Sequence, residues 1–287
     1  MKSNGVLTLD VGGTFIKAGF ISSSYSFLVP PFEVPSHSDE GLPSFLSSVQ
    51  EIYQRILLTV RKEDISAILI TMPGPFDYQK GISYMKHKFV FLYGIDLKEA
   101  IRQKLDFDKD ILFEHDAIAF MKFALYSEDI KYNSIGITLG TGLGYVLYEG
   151  HEILRNELGS PRDALYSAPY KGKTMEDFFS ARGFLSFYKG EKKPESALEL
   201  YQMAVNHEKD ALDAISSFGS ELALALSPYI EEHHVKALFL GGQVSKSYPF
   251  FLPSLKEGLK DVCVFVKTED CPALLGLAYS YYKEKNK

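Results

Sequence analysis

Cysteine and tryptophan are scarce in this sequence of 287 residues, which has two cysteines and no tryptophan. So few cysteines disfavour a secreted fold stapled by disulfides and favour a reducing cytoplasm. Cys263 and Cys271 lack C-x-x-C spacing, and no H-E-x-x-H pair occurs, so no metal-ligand motif is visible. No apolar run approaches the ~18 residues of a membrane helix, and the first residues lack the apolar stretch of a signal peptide, so we expect no membrane partner.

The chain also has no excess of positive charge. The chain carries 31 Lys and Arg against 37 Asp and Glu, a net charge of −6. This balance disfavours nucleic acid as a main partner, because phosphate backbones call for basic patches. The apolar content of 46% is typical of soluble globular proteins, and the length predicts about two domains.

Strand and helix patterns alternate along the chain, which predicts an α/β fold with mixed sheets. The predicted strands are 5–9, 15–21, 67–72, 111–113, two strands within 134–148, 237–240 and 262–266. The predicted helices are 40–62, 97–105, 117–126, 197–206, 212–230 and 273–285. Three prolines between residues 30 and 35 predict an irregular connection there.

Three glycine turns follow apolar strands, at 10–14, 140–144 and 241–242. Glycine lets backbone N–H groups converge on an anion without a Cβ in the way. Any one of these turns could be an ordinary hairpin turn, but the three together favour a polyphosphate site. The first two turns also align weakly, since Thr8-Leu9-Asp10 falls on Thr138-Leu139-Gly140, and this predicts a duplicated architecture with two lobes.

Two aspartates are the candidates for chemistry. Asp10, in the first glycine turn, can serve a phosphate-bound Mg²⁺, although aspartate in a turn also hydrogen-bonds its own backbone. Asp116 follows a predicted strand, where loops of α/β folds present functional groups. Its position before Ala117 also suits a helix N-cap, and the two roles are compatible.

The ordered motifs resemble those of the ROK family of repressors, open-reading-frame proteins and sugar kinases. They are LDVGGT with Lys17, MPGPFD at 72–77, HDA at 115–117, LGTGLG at 139–144, ELGS at 157–160, LGGQVS at 240–245 and PALLGLAYSYY at 272–282. The resemblance covers nearly the whole chain. It implies a two-lobed actin/hexokinase-like (ribonuclease H-like) α/β fold, with a mixed sheet in each lobe and a central cleft. We expect a small lobe of residues 1–117 and 273–287, and a large lobe of residues 118–272.

The resemblance also implies ATP-dependent phosphorylation of a hexose or amino-hexose hydroxyl, in which Asp116 accepts the proton of that hydroxyl. Asp10 would organise Mg²⁺. The implied ATP subsite contains Asp10, Gly12, Gly13, Thr14, Lys17, Gly140, Thr141, Gly142, Gly241 and Gly242. The implied sugar subsite contains Gly74, His115, Asp116, Glu157, Ser160 and Glu176.

Three departures from the family pattern affect these expectations. His115 stands where the family's Asn-Asp pair has asparagine, and Ser160 stands where its G-E-x-G-H motif has histidine. The zinc-binding cysteine cluster of many members is missing from residues 160–176, so we expect no structural zinc. The changed pocket makes glucose a doubtful substrate.

Two alternatives to a kinase stay open. A catalytically inactive sugar sensor of the same fold could tolerate His115 and Ser160, although it would need neither Asp10 nor Asp116. A repressor would carry a DNA-binding domain before the first strand, and with that strand starting near Gly5 we expect none. The resemblance further implies a homodimer.

Overall fold

The computed structural model describes residues 4–285, which form strands and helices in alternation. The strands are β1 (Gly5–Val11), β2 (Phe15–Ser22), β3 (Phe27–Pro35), β4 (Ile65–Met72), β5 (Phe76–Asp77), β6 (Ile82–Ser83), β7 (Asp110–His115), β8 (Ser134–Leu139), β9 (Leu143–Glu149), β10 (Glu152–Ile153), β11 (Pro169–Tyr170), β12 (Lys173–Thr174), β13 (Ala237–Gly241) and β14 (Cys263–Val266). The helices are α1 (Leu42–Leu57), α2 (Leu97–Leu105), α3 (Asp116–Glu128), α4 (Met175–Phe179), α5 (Ala181–Ser186), α6 (Ala197–Val205), α7 (Lys209–Glu232), α8 (Tyr248–Gly258) and α9 (Pro272–Lys285). Among the described residues, no helix combines the length and the hydrophobicity needed to cross a membrane.

The chain divides into two compact units. The first contains the described residues up to Glu128, the segment Arg155–Ser160 and the described residues from Asp270 onward. The second contains Asp129–Leu154 and Pro161–Glu269. Helix α3 belongs to the first unit because it packs closely on α9: a Cβ at Gly276 would overlap the carbonyl oxygen of Ala119. The lobe boundary after residue 117 stays a prediction.

The first unit is built on a five-stranded mixed sheet in the order β3-β2-β1-β4-β7. Strands β1, β4 and β7 run parallel, and β2 and β3 are antiparallel to their neighbours. Helix α1 buries one face against this sheet through Phe45, Val49, Ile52 and Ile56, at the three- and four-residue spacing of an amphipathic helix. The carboxyl ends of the three parallel strands therefore share one sheet edge.

The second unit repeats this topology. Its sheet has the order β10-β9-β8-β13-β14, with β8, β13 and β14 parallel and β9 and β10 antiparallel to their neighbours. Strand β8 takes the place of β1, as the alignment of Thr8 with Thr138 predicts. Helices α7 and α8 pack in its core, where Phe218 and Phe251 are fully buried. The predicted α/β fold with a mixed sheet in each half is confirmed.

Two of the longer elements differ from the sequence prediction. The proline-rich segment is strand β3 rather than an irregular connection, and β3 lies at the edge of its sheet. An edge strand tolerates proline because one side of its backbone needs no partner in the ladder. Helix α8 was not predicted; its internal Pro253 weakens the helical pattern in the sequence.

Candidate active site

The first unit gathers two predicted aspartates at the shared edge of its sheet. Asp10 is the penultimate residue of β1, and Thr71 lies opposite it on β4 and donates a 2.6 Å hydrogen bond from Oγ1 to Asp10 Oδ1. His115 ends β7, and Asp116 begins α3. Functional groups of open α/β sheets lie at the carboxyl ends of strands, and these four residues follow that rule.

The electrostatic environment of Asp10 favours a nearby cation. Burial raises the pKa of this carboxyl, and the negative charge of Asp116 adds to the effect, whereas the Thr71 hydrogen bond and the charge of Lys17 only partly oppose it. Among residues 4–285, no hydrogen bond to Asp10 Oδ2 is found. A partly buried carboxylate with one oxygen in use and one left over suits a hard cation such as Mg²⁺, which takes one or two protein oxygens.

The Asp116 side chain is more exposed than that of Asp10, with 50% of its surface accessible. His115 Nδ1 lies 2.9 Å from Asp116 Oδ1, and the Ala117 N–H donates to the same oxygen at 2.7 Å. Burial raises the pKa of Asp116, but the charge and hydrogen bond of His115, the Ala117 N–H and the charge of Lys88 outweigh it and lower that pKa. Asp116 is therefore an ionised carboxylate at neutral pH, with surface left to accept a proton or a hydrogen bond.

A small cluster surrounds Gly74, in the loop after β4. A Cβ placed on Gly74 would lie 3.3 Å from Ser160 Oγ, 3.7 Å from the Tyr78 hydroxyl and 3.8 Å from His115 Cδ2. The Tyr78 ring lies 5.8 Å from the His115 ring, and its hydroxyl donates to the Met72 carbonyl at 2.7 Å. Three predicted sugar residues, Gly74, His115 and Ser160, thus meet in one place. Tyr78 was missed because an aromatic residue after a proline-rich loop is an ordinary core pattern.

Glu157 lies in the same segment as Ser160, within Arg155–Ser160. The Asn156 side-chain oxygen accepts hydrogen bonds from the N–H groups of Leu158 and Ser160, at 3.0 and 3.1 Å. The Leu158 carbonyl accepts one from the Tyr78 N–H at 3.1 Å. Within the described part of the chain the exposed Glu157 side chain makes no hydrogen bond or ion pair, so its carboxylate is available to a ligand.

An ion cluster around the buried carboxylate of Glu114 was not predicted. Glu114 is 7% exposed and receives two 2.8 Å hydrogen bonds from the Arg155 guanidinium, and Lys122 Nζ lies 2.8 Å away. Burial raises the pKa of Glu114, but Arg155 and Lys122 more than offset it and lower that pKa to about 2. Glu114 and Arg155 are far apart in sequence, so no local pattern indicates their pairing.

The first glycine turn lies open at the surface. The Gly12 N–H bonds the Phe15 carbonyl at 3.0 Å, and a Cβ on Gly13 would meet no atom within 4 Å. Thr14 is exposed in the same turn. Lys17 lies opposite Asp10 on β2 and pairs with Glu33 at 3.5 Å.

The second unit brings the other two glycine turns together. Parallel strands β8 and β13 end side by side, with Thr138 opposite Gly241. Gly242 has a φ of +90°, and a Cβ there would lie 2.7 Å from the Leu139 carbonyl carbon. A side chain at Gly242 would therefore separate the turn 241–242 from the strand that leads into Gly140–Gly142.

Glu176 lies against the Gly140–Gly142 turn within the second unit. Its Oε2 accepts a 3.1 Å hydrogen bond from the Leu143 N–H, and a Cβ on Gly142 would lie 2.7 Å from the same oxygen. Thr141 is exposed beside it, and a Cβ on Gly140 would meet no atom within 4 Å. Across residues 4–285, no three His, Cys, Asp or Glu side chains lie together as a metal-ligand set.

Comparison with known proteins shows the family. The ROK family model matches residues 6–271, and the chain belongs to the ROK family. No curated protein matches the chain significantly.

Solved structures show the same fold at low identity. A ROK family glucokinase from Streptomyces griseus, in complex with glucose and AMPPNP, has a TM-score of 0.77 at 18% identity, covering 96% of this chain and 98% of its own. A ROK hexokinase from Thermus thermophilus has a TM-score of 0.71 at 18% identity, covering 99% and 100%. A ROK family transcriptional regulator, a homologue of the MLC protein of E. coli, has a TM-score of 0.80 at 16% identity, covering 98% and 78%. The actin/hexokinase-like fold is therefore shown.

Proposed function

We propose that this protein transfers the γ-phosphoryl group of ATP to a hydroxyl of a hexose or amino-hexose. The observation that carries the proposal is the pair of unlike aspartates at one sheet edge. Asp116 is ionised and half exposed, and Asp10 is partly buried in an environment that favours a cation. The family and the sugar kinases among the structural neighbours support the same reaction class.

Asp116 acts as the general base in this proposal. Phosphoryl transfer needs an attacking hydroxyl held in line, neutralised charge and a group that orients or accepts the hydroxyl proton. The lowered pKa keeps Asp116 ionised, and its exposed surface allows a hydroxyl to reach it. A positioned general base contributes roughly 10²–10⁴ in rate.

The residues present suit Mg²⁺ and ATP. Asp10 offers a carboxylate oxygen to Mg²⁺, and the open backbones at Gly13 and Gly140 leave room for phosphate oxygens. When bound, Mg²⁺ would supply neutralisation of phosphate charge. We assign Gly12, Gly13, Thr14, Lys17, Gly140, Thr141 and Gly142 to the phosphates, and Gly241 and Gly242 to the adenosine.

The sugar subsite rests on the cluster around Gly74. His115 Nδ1 lies 2.9 Å from Asp116 Oδ1, and Cδ2 on the other edge of the ring lies 3.8 Å from a Cβ placed on Gly74. Ser160 offers a hydroxyl and Glu157 an uncommitted carboxylate to the hydroxyls of a sugar. We propose Glu176 as a further sugar ligand, and a cytoplasmic homodimer with no nucleic-acid or membrane partner.

An inactive sugar sensor is the second candidate. The regulator among the structural neighbours, together with His115 and Ser160 at positions where the family pattern differs, favours it. ADP release with ATP, Mg²⁺ and a panel of glucose, mannose, glucosamine, N-acetylglucosamine and N-acetylmannosamine distinguishes the two candidates. Turnover of one sugar supports the kinase. Sugar-dependent thermal stabilisation without any ADP release supports the sensor.

A further inference from the structure

Glu114 is a buried carboxylate in the first unit. It is 7% exposed, and burying an ion is costly unless its partners have good geometry. Both carboxylate oxygens accept from the two terminal nitrogens of Arg155 at 2.8 Å, the paired arrangement in which arginine fixes orientation as well as charge. The pair therefore holds Arg155 in one defined position.

Arg155 connects two pieces of backbone through this arrangement. Its Nη1 also donates to the Gly159 carbonyl at 2.9 Å, next to Ser160. Glu114 Oε1 in turn accepts from the N–H of His115 at 2.9 Å. One guanidinium thus ties the backbone of Gly159 to that of His115, with Glu114 as the bridge.

The segment Arg155–Ser160 is held in the first unit by Arg155 on Glu114 and by the Tyr78 N–H, which donates to the Leu158 carbonyl at 3.1 Å. Arg155–Ser160 belongs to the first unit, whereas the residues on both sides of it belong to the second. Asn156 closes the segment on itself through its bonds to Leu158 and Ser160. Bonds of that kind give the segment its shape, but they do not fix where it lies against β7.

We infer that Arg155 is a positioning residue for sugar recognition. Through Glu114 it sets the distance from Glu157 and Ser160 to His115 and Asp116, while touching no sugar itself. The expected effect on sugar KM rests on the proposed function, whereas the expected effect on the position of the segment rests on the hydrogen bonds alone. Its loss should impair sugar binding more than ATP binding, because its contacts lie among the proposed sugar residues.

The kinetic test compares Arg155→Gln with Lys122→Met. Lys122 is the other cation on Glu114, but among residues 4–285 no bond joins it to the segment Arg155–Ser160, so its variant controls for loss of a Glu114 partner. With the panel sugar that the wild type turns over best, Arg155→Gln should raise the sugar KM about 10- to 100-fold and change the ATP KM less than about twofold. Lys122→Met should leave both constants within about twofold. Equal sugar KM values in Arg155→Gln and the wild type overturn the inference.

Two more variants separate positioning from charge and from folding. Arg155→Lys keeps the positive charge beside Glu114 but cannot reach both carboxylate oxygens and the Gly159 carbonyl, so the sugar KM should stay raised. A wild-type KM in Arg155→Lys shows that charge alone matters and overturns the inference. If Arg155→Gln does not fold, the double variant Glu114→Gln/Arg155→Gln removes the buried carboxylate together with its guanidinium partner. The sugar KM should remain raised in this double variant, and a wild-type value counts against the inference.

Amide hydrogen exchange provides a readout that needs no activity. In the sugar-free protein, Arg155→Gln should speed exchange of the Tyr78 N–H, which bonds the Leu158 carbonyl of the segment, about tenfold or more, whereas Lys122→Met should not. Unchanged exchange in Arg155→Gln overturns the inference. If the wild type turns over no panel sugar, the proposed kinase activity fails and this exchange measurement alone decides the role of Arg155.

Discussion

Acid should remove a defined part of the stability of the first unit, the part that comes from Glu114. The pKa of this carboxyl falls from 4.5 to about 2 in the folded protein. A carboxyl whose pKa is lower in the folded than in the unfolded protein stabilises the fold fully at pH values above its unfolded pKa. This stabilisation is lost as the pH falls through the folded pKa. Because a tenfold difference in proton affinity is worth about 1.4 kcal/mol, pairing contributes roughly 3 kcal/mol at pH 7 and about 2 kcal/mol at pH 3.5.

The assay is urea unfolding of the wild type and Glu114→Gln at several pH values between 7 and 3.5. The difference in unfolding free energy isolates Glu114, because every other titrating group is common to both proteins. At pH 7 the variant should be less stable by roughly 3 kcal/mol or more, since Arg155 and Lys122 then face a neutral amide. The difference should shrink by about 1 kcal/mol on going to pH 3.5.

Glu99→Gln is the matched control. Glu99 pairs with Arg102 at 3.2 Å on the surface of α2, and exposed pairs contribute little. Its variant should unfold within about 1 kcal/mol of the wild type at every pH. A Glu114→Gln difference that does not change between pH 7 and pH 3.5 would refute the reasoning, because the carboxyl would then titrate alike in both states.

Two further predictions concern the glycine turns and the proposed metal ligand. Gly242→Ala should destabilise the protein by about 2–5 kcal/mol in urea unfolding, because a left-handed φ and overlap with Leu139 both oppose a Cβ. Gly140→Ala is the control, because a Cβ there meets no atom within 4 Å, and it should cost about 1 kcal/mol or less. Equal losses of stability in the two variants would contradict this geometry. Asp10→Asn should raise the melting temperature at pH 7, since a carboxyl whose folded pKa is raised destabilises the fold when ionised and the amide keeps its bond to Thr71. The same variant should lose about 100-fold or more in Mg²⁺-dependent ADP release, and a lowered melting temperature with full activity would refute both statements.

The hairpins and the edge residues were visible in the sequence because they depend on local patterns. An apolar run ending in Asp10 and two glycines specifies β1, its turn and β2 with little help from the rest of the chain. The weak alignment of Thr8 with Thr138 indicated a duplicated architecture, and the structure shows the same strand order in both sheets. Parallel strands then bring their carboxyl ends together, so the proximity of Asp10 and Asp116 follows from the fold class.

The residues that were missed depend on contacts between distant parts of the chain. Arg155 reads as a surface arginine in a loop, and only the folded chain places it on Glu114. Strand β3 was missed because its prolines count against a strand until its place at the sheet edge is known. Glu176 was predicted from the resemblance alone, and its bond to the Leu143 N–H could not be foreseen from spacing.

The rate of ADP formation by Asp116→Asn tests the central claim most directly. Asparagine keeps the size of the side chain and cannot accept the hydroxyl proton, so kcat with the best panel sugar should fall about 10²–10⁴-fold. Thermal unfolding and nucleotide binding should remain close to those of the wild type. Wild-type turnover by a folded Asp116→Asn would contradict the account, because the reaction would then need no base at this position.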